Sequence, residues 1–145
     1  MENKNNKKIV AKKPTKSTKK EKDFLFGYIK LGRLKKPIAD KIDSKPADIY
    51  VDYNHLRHIE NGKYFALEDL KMNALKYVQK IVANFLEIRK GIGEALLLVA
   101  TIEENNKKNV AIIELQLVAK SSMYIVKTAM PRKKFKESEI ILWEK

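Results

Sequence analysis

The sequence contains no cysteine, and it has only two histidines and one tryptophan among its 145 residues. Without cysteine the chain cannot form disulfides or bind a metal through thiolates, and nothing favours an oxidising compartment. No apolar run approaches the roughly 18 residues of a membrane span, and the start MENKNNKKIVAKKP lacks the apolar segment of a secretory signal. We therefore expect a cytoplasmic protein without a membrane-spanning segment.

Acidic residues are scarce relative to basic ones, 18 against 31, which leaves a net charge of +13. Such an excess predicts a polyanionic partner such as nucleic acid, the ribosome or an anionic membrane surface, although a lysine-rich, AT-biased proteome would also produce it. Residues 1–22 hold nine lysines, two glutamates and almost no apolar side chains, so we predict a disordered basic tail. Residues 23–145 are predicted to form a single domain, which keeps part of the excess.

Hydrophobic periodicity predicts an α+β domain. Apolar residues recur at three and four positions from Leu67 to Phe85, which indicates an amphipathic helix that ends near Arg89 and Lys90. Strand-like segments follow it, separated by polar turns. We expect N-terminal helices packed on a four-stranded antiparallel meander sheet formed by residues 95–102, 110–118, 123–128 and 140–143.

The two histidines lie in the segment DIYVDYNHLRHIENG, which predicts a short strand followed by a helix over residues 53–60. Asp52 or Asn54 is expected to cap this helix. His55 and His58 are three residues apart and therefore share one helical face. Such a pair could bind a metal, transfer protons or have no special role, and His58 is the better candidate for chemistry because it lies near the turn.

Motifs for other chemistries are missing. A zinc site would need a third ligand, and the chain has no further histidine and no HExxH pattern. It also lacks a glycine-rich phosphate loop, a G-x-S-x-G turn and paired acids spaced for a two-metal nuclease. We therefore expect no metal and no cofactor, and any catalysis should be metal-free.

A second group of candidate residues lies in KTAMPRKKFK, where a strand ends in Lys127 and Thr128. Arg132, Lys133 and Lys134 follow in a polar loop, a composition that suits binding to the phosphates of RNA or DNA. Tyr124, Phe135 and Trp143 could stack on bases. The alternative is a solvated loop between two strands, with the aromatic side chains in the core.

The combination of a basic N-terminal portion, DIYVDYNHLRHI, a long helix and VKT near the end of a late strand resembles the phage-associated barnase, EndoU, colicin and RelE-like nucleases, the BECR fold. The similarity covers residues from Phe24 to Lys145. It implies a small metal-independent endoribonuclease, of a kind often carried as a toxin by phages and other mobile elements. In that group a helix-borne histidine and strand-borne lysine or arginine and serine or threonine surround the scissile phosphate.

The resemblance places its histidine on His58, with His55 one turn earlier, and its hydroxyl on Thr128. Lys127 would stabilise charge on the phosphate, and the residues expected to bind nucleic acid are Arg57, Lys63, Arg132, Lys133 and Lys134. Many members have another histidine shortly after the first motif, where this chain has Asn61 to Tyr64. Lys63 or Tyr64 would have to replace it.

The first hypothesis is thus a toxin-like endoribonuclease that cleaves RNA by transesterification through the 2′-hydroxyl. The alternatives are a nonenzymatic RNA- or DNA-binding protein and a structural protein of a phage or mobile element. Expected partners are RNA and, for a toxin, an acidic immunity or antitoxin protein, with no membrane.

Overall fold

The computed structural model describes residues 27–62, 73–104 and 107–145. The predicted basic tail, Lys63 and the start of the predicted long helix lie outside these residues. No helix within the described ranges is both long enough and apolar enough to cross a bilayer. The elements in chain order are β1 (Tyr28–Leu34), α1 (Lys36–Lys41), β2 (Ala47–Asp52), α2 (Tyr53–Glu60), α3 (Ala74–Asn84), β3 (Glu87–Lys90), β4 (Leu96–Glu104), β5 (Lys107–Val118), a short 3-10 helix (Ala119–Ser121), β6 (Met123–Pro131) and β7 (Ile141–Glu144).

All seven of these strands form one mixed sheet, in the order β1-β2-β6-β5-β4-β3-β7. Strands β3 to β6 run as an antiparallel meander, because each pairs with the next along the chain. Strand β2 instead lies parallel to β6, with Asp48 opposite Met123 and Tyr50 opposite Ile125. This parallel pair joins the N-terminal part of the chain to the meander.

The fold is α+β, but the predicted four-stranded antiparallel meander covered by N-terminal helices is wrong. The sheet has seven strands and includes a parallel pair. The expectation counted only strands joined by local hairpins, whereas β1 and β2 enter the sheet through a pairing with β6 that is distant in sequence. Parallel pairing across such a distance leaves no periodic signal in the sequence.

The observed sheet also differs from the predicted one at residues 87–90, which form a strand, and in the position of the last strand. The helix that was expected to reach Arg89 ends at Asn84, because Phe85 adopts an extended backbone with φ −64° and ψ 146°. Residues 87–90 then form β3, which pairs with β4 on one side and with β7 on the other. As a result β7 lies beside β3 rather than beside β6, at the far edge of the sheet.

The main core lies between α3 and one face of the sheet, which we call the inner face. Tyr77, Val78 and Ile81 of α3 are fully buried there. They pack with inward side chains of the central strands, such as Leu98 and Ile113. Because side chains alternate along a strand, the remaining residues of each strand point to the opposite, outer face.

The outer face carries a smaller apolar cluster. Leu97, Val99 and Ile112 are buried there, with Met130 and Phe135 packed against them. Phe135 belongs to the polar loop that leads from β6 to β7, so this loop covers one half of the outer face. The other half, formed by β1, β2 and the adjoining end of β6, is left uncovered by this cluster.

Gly32 of β1 marks a close approach between the sheet and α3. A Cβ atom at Gly32 would come within 2.8 Å of the Val82 Cγ1 methyl. Valine is branched at Cβ and stiff in a helix, so this methyl group cannot easily move away. The absence of a side chain at Gly32 is therefore a condition for the packing of α3 on β1.

We expect Gly32→Ala to lower the free energy of unfolding by about 1–3 kcal/mol, because it overpacks this contact. The measurement is urea denaturation monitored by circular dichroism. In a Val82→Ala background the same substitution should cost less, since the clashing methyl is absent. Equal costs in both backgrounds would show that the contact with Val82 is not the cause.

Candidate functional site

The junction between β2 and α2 holds the best-defined polar contact of the predicted histidine segment. Asp52 ends β2, and its carboxylate accepts a hydrogen bond of 2.7 Å from the backbone amide of His55. The predicted helix over residues 53–60 is thereby confirmed, and of its two expected caps, Asp52 and Asn54, it is Asp52 that caps it. The same carboxylate lies 2.9 Å from the His55 Nδ1 atom through each of its two oxygens. A carboxylate only accepts, so we assign the Nδ1 proton to the bond and leave Nε2 available.

The parallel pairing of β2 and β6 brings a strand-borne cation to this junction. Both strands run in the same direction, so their carboxyl ends lie side by side. Extending the register from Tyr50 and Ile125 by two residues places Lys127 next to Asp52. Lys127 is close enough for its charge to act on the Asp52 carboxylate. The arrangement joins the two regions that the sequence singled out separately.

Opposing effects set the pKa of Asp52. Partial burial raises it, but hydrogen bonds from the His55 amide and ring and the charges of His55 and Lys127 outweigh the burial. The net pKa of Asp52 is therefore below its ordinary value. Asp52 thus remains ionised in the folded protein at neutral pH and can hold a protonated imidazole.

A β-bulge aims Lys127 and Thr128 at the same side of the sheet. The ladder pairs Leu115 with Val126 and Glu114 with Thr128, so Lys127 is an extra residue in β6. Val126 and Ala129 both enter the main core although they are three positions apart. In a regular strand such residues would face opposite sides, so the bulge turns both side chains between them to the outer face.

The predicted residues Arg57 and His58 lie on α2 and are both exposed. Among the described residues, neither side chain forms a hydrogen bond or an ion pair. His55 is the histidine that the structure brings together with Asp52 and Lys127, and 30% of its side chain is accessible. The role assigned to His58 stays a prediction, and Lys63 lies outside the described residues.

The loop cations fall into two groups. Lys133 and Lys134 are exposed and have no ion-pair partner within the described parts of the chain. Arg132 instead donates a 2.6 Å hydrogen bond to the carboxylate of Glu139, which is itself 8% exposed. The guanidinium of Arg132 is thus engaged in holding the loop, which reduces its availability for phosphate.

The three aromatic residues considered for base stacking pack against other parts of the protein. Tyr124 is buried and its hydroxyl contacts Ser44 and the Lys45 carbonyl. Trp143 packs against Phe85 with ring centroids 5.5 Å apart. Phe135 lies under the Arg89 guanidinium, 4.0 Å from the ring centroid. For these side chains the alternative of core packing is the one that the structure supports.

The outer face also presents residues that are not among the predicted site residues. Tyr28 and Tyr50 form an edge-to-face pair with centroids 6.2 Å apart, on the strands that lead to Asp52. Glu114 faces outward from β5, directly opposite Thr128. The alternation of Glu114 and Gln116 with buried Ile113 and Leu115 indicates in the sequence that Glu114 faces away from the core, but it does not by itself indicate a functional residue.

No three histidine, aspartate or glutamate side chains in the described ranges are grouped closely enough to hold a metal ion. No protein-family model, curated protein or solved structure matches the chain.

The lowered pKa of Asp52 predicts how stability depends on pH. Asp52→Asn keeps a capping oxygen but removes the charge, so wild type should be the more stable protein above the ordinary aspartate pKa of about 3.9. The Asp52 pKa is lower in the folded protein than in the unfolded chain, so the extra stability of wild type should be lost as the pH falls from the ordinary aspartate pKa through the folded one. Urea denaturation of both proteins between pH 7 and pH 2.5 measures it. An advantage that persists at the acidic end would contradict the charge interaction.

Proposed function

We propose that the protein is a metal-independent endoribonuclease that cleaves RNA by transesterification through the 2′-hydroxyl. The observation that carries the proposal is the contact between Asp52 and His55 together with the Lys127 charge that acts on Asp52, with Thr128 next to Lys127 on the outer face. The proposal includes membership of the phage-associated nuclease group named above. This membership is supported by a helix-borne histidine near a strand-borne lysine and threonine. The seven-stranded sheet, in contrast, departs from the expected fold.

In this proposal His55 acts as the general base. Asp52 fixes the imidazole and stabilises the imidazolium that forms when Nε2 takes the proton of the 2′-hydroxyl. The 2′-oxygen then attacks phosphorus, and the bond to the 5′-oxygen breaks to give a cyclic phosphate. His58, one helical turn later, is the remaining imidazole in the chain and is assigned to protonate the leaving 5′-oxygen.

Charge develops on the nonbridging oxygens of the phosphate during this step. Lys127 supplies a positive charge and Thr128 a hydroxyl donor from adjacent positions of the bulge, and both side chains are half-buried. Groups held in place before reaction stabilise a transition state without reorganisation. Tyr28 and Tyr50 lie on the same face and offer aromatic surface to unpaired bases.

A nonenzymatic nucleic-acid-binding protein is the second candidate. The observation that favours it is the pair of exposed loop cations, Lys133 and Lys134, which are unpaired among the described residues. Exposed lysines bind phosphates through charge alone and need no organised proton-transfer pair. On this reading the contact between Asp52 and His55 would only cap α2.

We expect the purified protein to cleave single-stranded RNA in the presence of EDTA. His55→Ala, His58→Ala and Lys127→Ala should each slow cleavage, and loss of a proton-transfer histidine should cost on the order of 10²- to 10⁴-fold. The measurement is the single-turnover rate on an end-labelled RNA, with product ends identified as cyclic phosphate. Lys80→Ala, an exposed lysine of α3, is the matched control for Lys127→Ala and should cleave normally.

Two outcomes would decide against this function. Cleavage at equal rates by wild type and the His55 variant would exclude His55 as the base. RNA binding without any cleavage would favour the nonenzymatic candidate.

Binding has a prediction of its own. Lys133→Ala and Lys134→Ala should weaken binding to RNAs of any sequence, and each should reduce the slope of log affinity against log salt by about 0.7 for a single strand. Fluorescence anisotropy of a labelled RNA at several salt concentrations measures this slope. An unchanged slope would place the phosphate path away from the loop.

A further inference from the structure

The two edge strands of the sheet approach each other beside α1. Strands β1 and β7 lie at opposite ends of the strand order, and in a flat sheet about 4.8 Å between neighbours would set them roughly 29 Å apart. Residues of both strands nevertheless line one pocket of about 470 Å³, and α1 packs against β7. The sheet therefore curls, and it leaves a pocket whose volume is typical of small-molecule sites.

Apolar side chains form most of the lining of this pocket. Val82, near the end of α3, is buried, whereas the larger members are partly exposed, namely Leu31, Ile38, Phe85 and Trp143. The rings of Phe85 and Trp143 are inclined to each other by 60°. They do not form parallel walls for a planar ring, whereas a flexible aliphatic chain can follow such a surface.

Three cationic side chains stand at the rim of the pocket, and all of them are exposed: Arg33, Lys35 and Lys145. Arg33 donates a 3.0 Å hydrogen bond to Asp48. Lys35 and Lys145 form no ion pair within the described ranges, and none of the described residues that line the pocket is acidic. An anionic group at this rim would meet positive charge while it remained hydrated, which avoids the cost of burying a charge.

We propose that this pocket binds a fatty-acid anion, with the aliphatic chain against the apolar lining and the carboxylate at the rim near Lys35 and Lys145. The inference does not depend on the proposed nuclease function. A nucleotide fits less well, because among the described lining residues the polar side chains are the three cations and the Trp143 indole. Sugar hydroxyls and base edges would therefore lose hydrogen bonds to water without replacing them.

Trp143 is the single tryptophan of the chain, so its fluorescence reports on this pocket. Titration of the purified protein with octanoate or decanoate, each below its micelle concentration, should give a saturable change in that fluorescence. Decanoate should bind about 10-fold more tightly than octanoate, because it buries two further methylene groups. Decanol has the same chain length without the charge, and it should bind about 3-fold or more weakly than decanoate.

Three variants test the two parts of the pocket. Lys35→Ala should weaken decanoate binding about 2- to 5-fold and leave decanol binding unchanged. Lys41→Ala changes an exposed lysine at the other end of α1, outside the lining, and should alter neither affinity. Ala83→Leu places a larger side chain at an exposed lining position of α3 and should abolish saturable binding of both ligands. Leucine is a good helix former, and circular dichroism checks that this variant is folded.

The absence of a saturable fluorescence change would overturn the inference, as would equal affinities for decanoate and decanol. An equal loss of decanoate affinity in Lys35→Ala and Lys41→Ala would also overturn it, since binding would then follow net charge alone. Unchanged binding by folded Ala83→Leu would place the ligand elsewhere on the protein and contradict the pocket. The titration does not involve RNA, so a failure of the nuclease and a failure of this site are observed separately.

Discussion

The parallel pairing of β2 with β6 is the constraint on which the rest of the arrangement depends. It attaches the N-terminal strands to a meander that is otherwise built from local hairpins. The same pairing aligns the ends of the two strands, so the helix that follows β2 begins next to the bulge of β6. Without it, Asp52 and His55 would form an isolated helix cap, and Lys127 would be one more lysine on a basic surface.

The two faces of the sheet differ in role: the inner face forms the main core, and the outer face carries the candidate binding residues. The inner face buries α3 so tightly that Gly32 has no room for a methyl group beside Val82. Among the described residues the outer face is only partly covered, and the bulge turns Thr128 to that face beside Lys127. The bulge therefore places Lys127 and Thr128 on one face of the sheet, whereas in a regular strand these consecutive side chains would point to opposite faces.

The loop between β6 and β7 links the apolar cluster of the outer face to the candidate site. Arg89 and Arg132 lie over the Phe135 ring, and Glu139 holds Arg132. This packing holds the loop against the outer face and leaves Lys133 and Lys134 at the surface. The basic residues of this loop look alike in the sequence, but the structure divides them into two groups. Arg132 holds the loop, whereas Lys133 and Lys134 are exposed.

Local patterns in the sequence determined the helix over residues 53–60, a cap at Asp52 or Asn54 and most strands of the meander, because capping and alternation depend on near neighbours. It was the resemblance to the nuclease group, rather than these patterns, that named His55, Lys127 and Thr128 as candidates for one site. Only the tertiary structure decided that β1 and β2 join the sheet through β6, that this pairing brings Lys127 to Asp52, and that Thr128 faces the same side as Lys127. Those features follow from a pairing between distant segments and from one extra residue in β6, and neither produces a periodic signal along the chain.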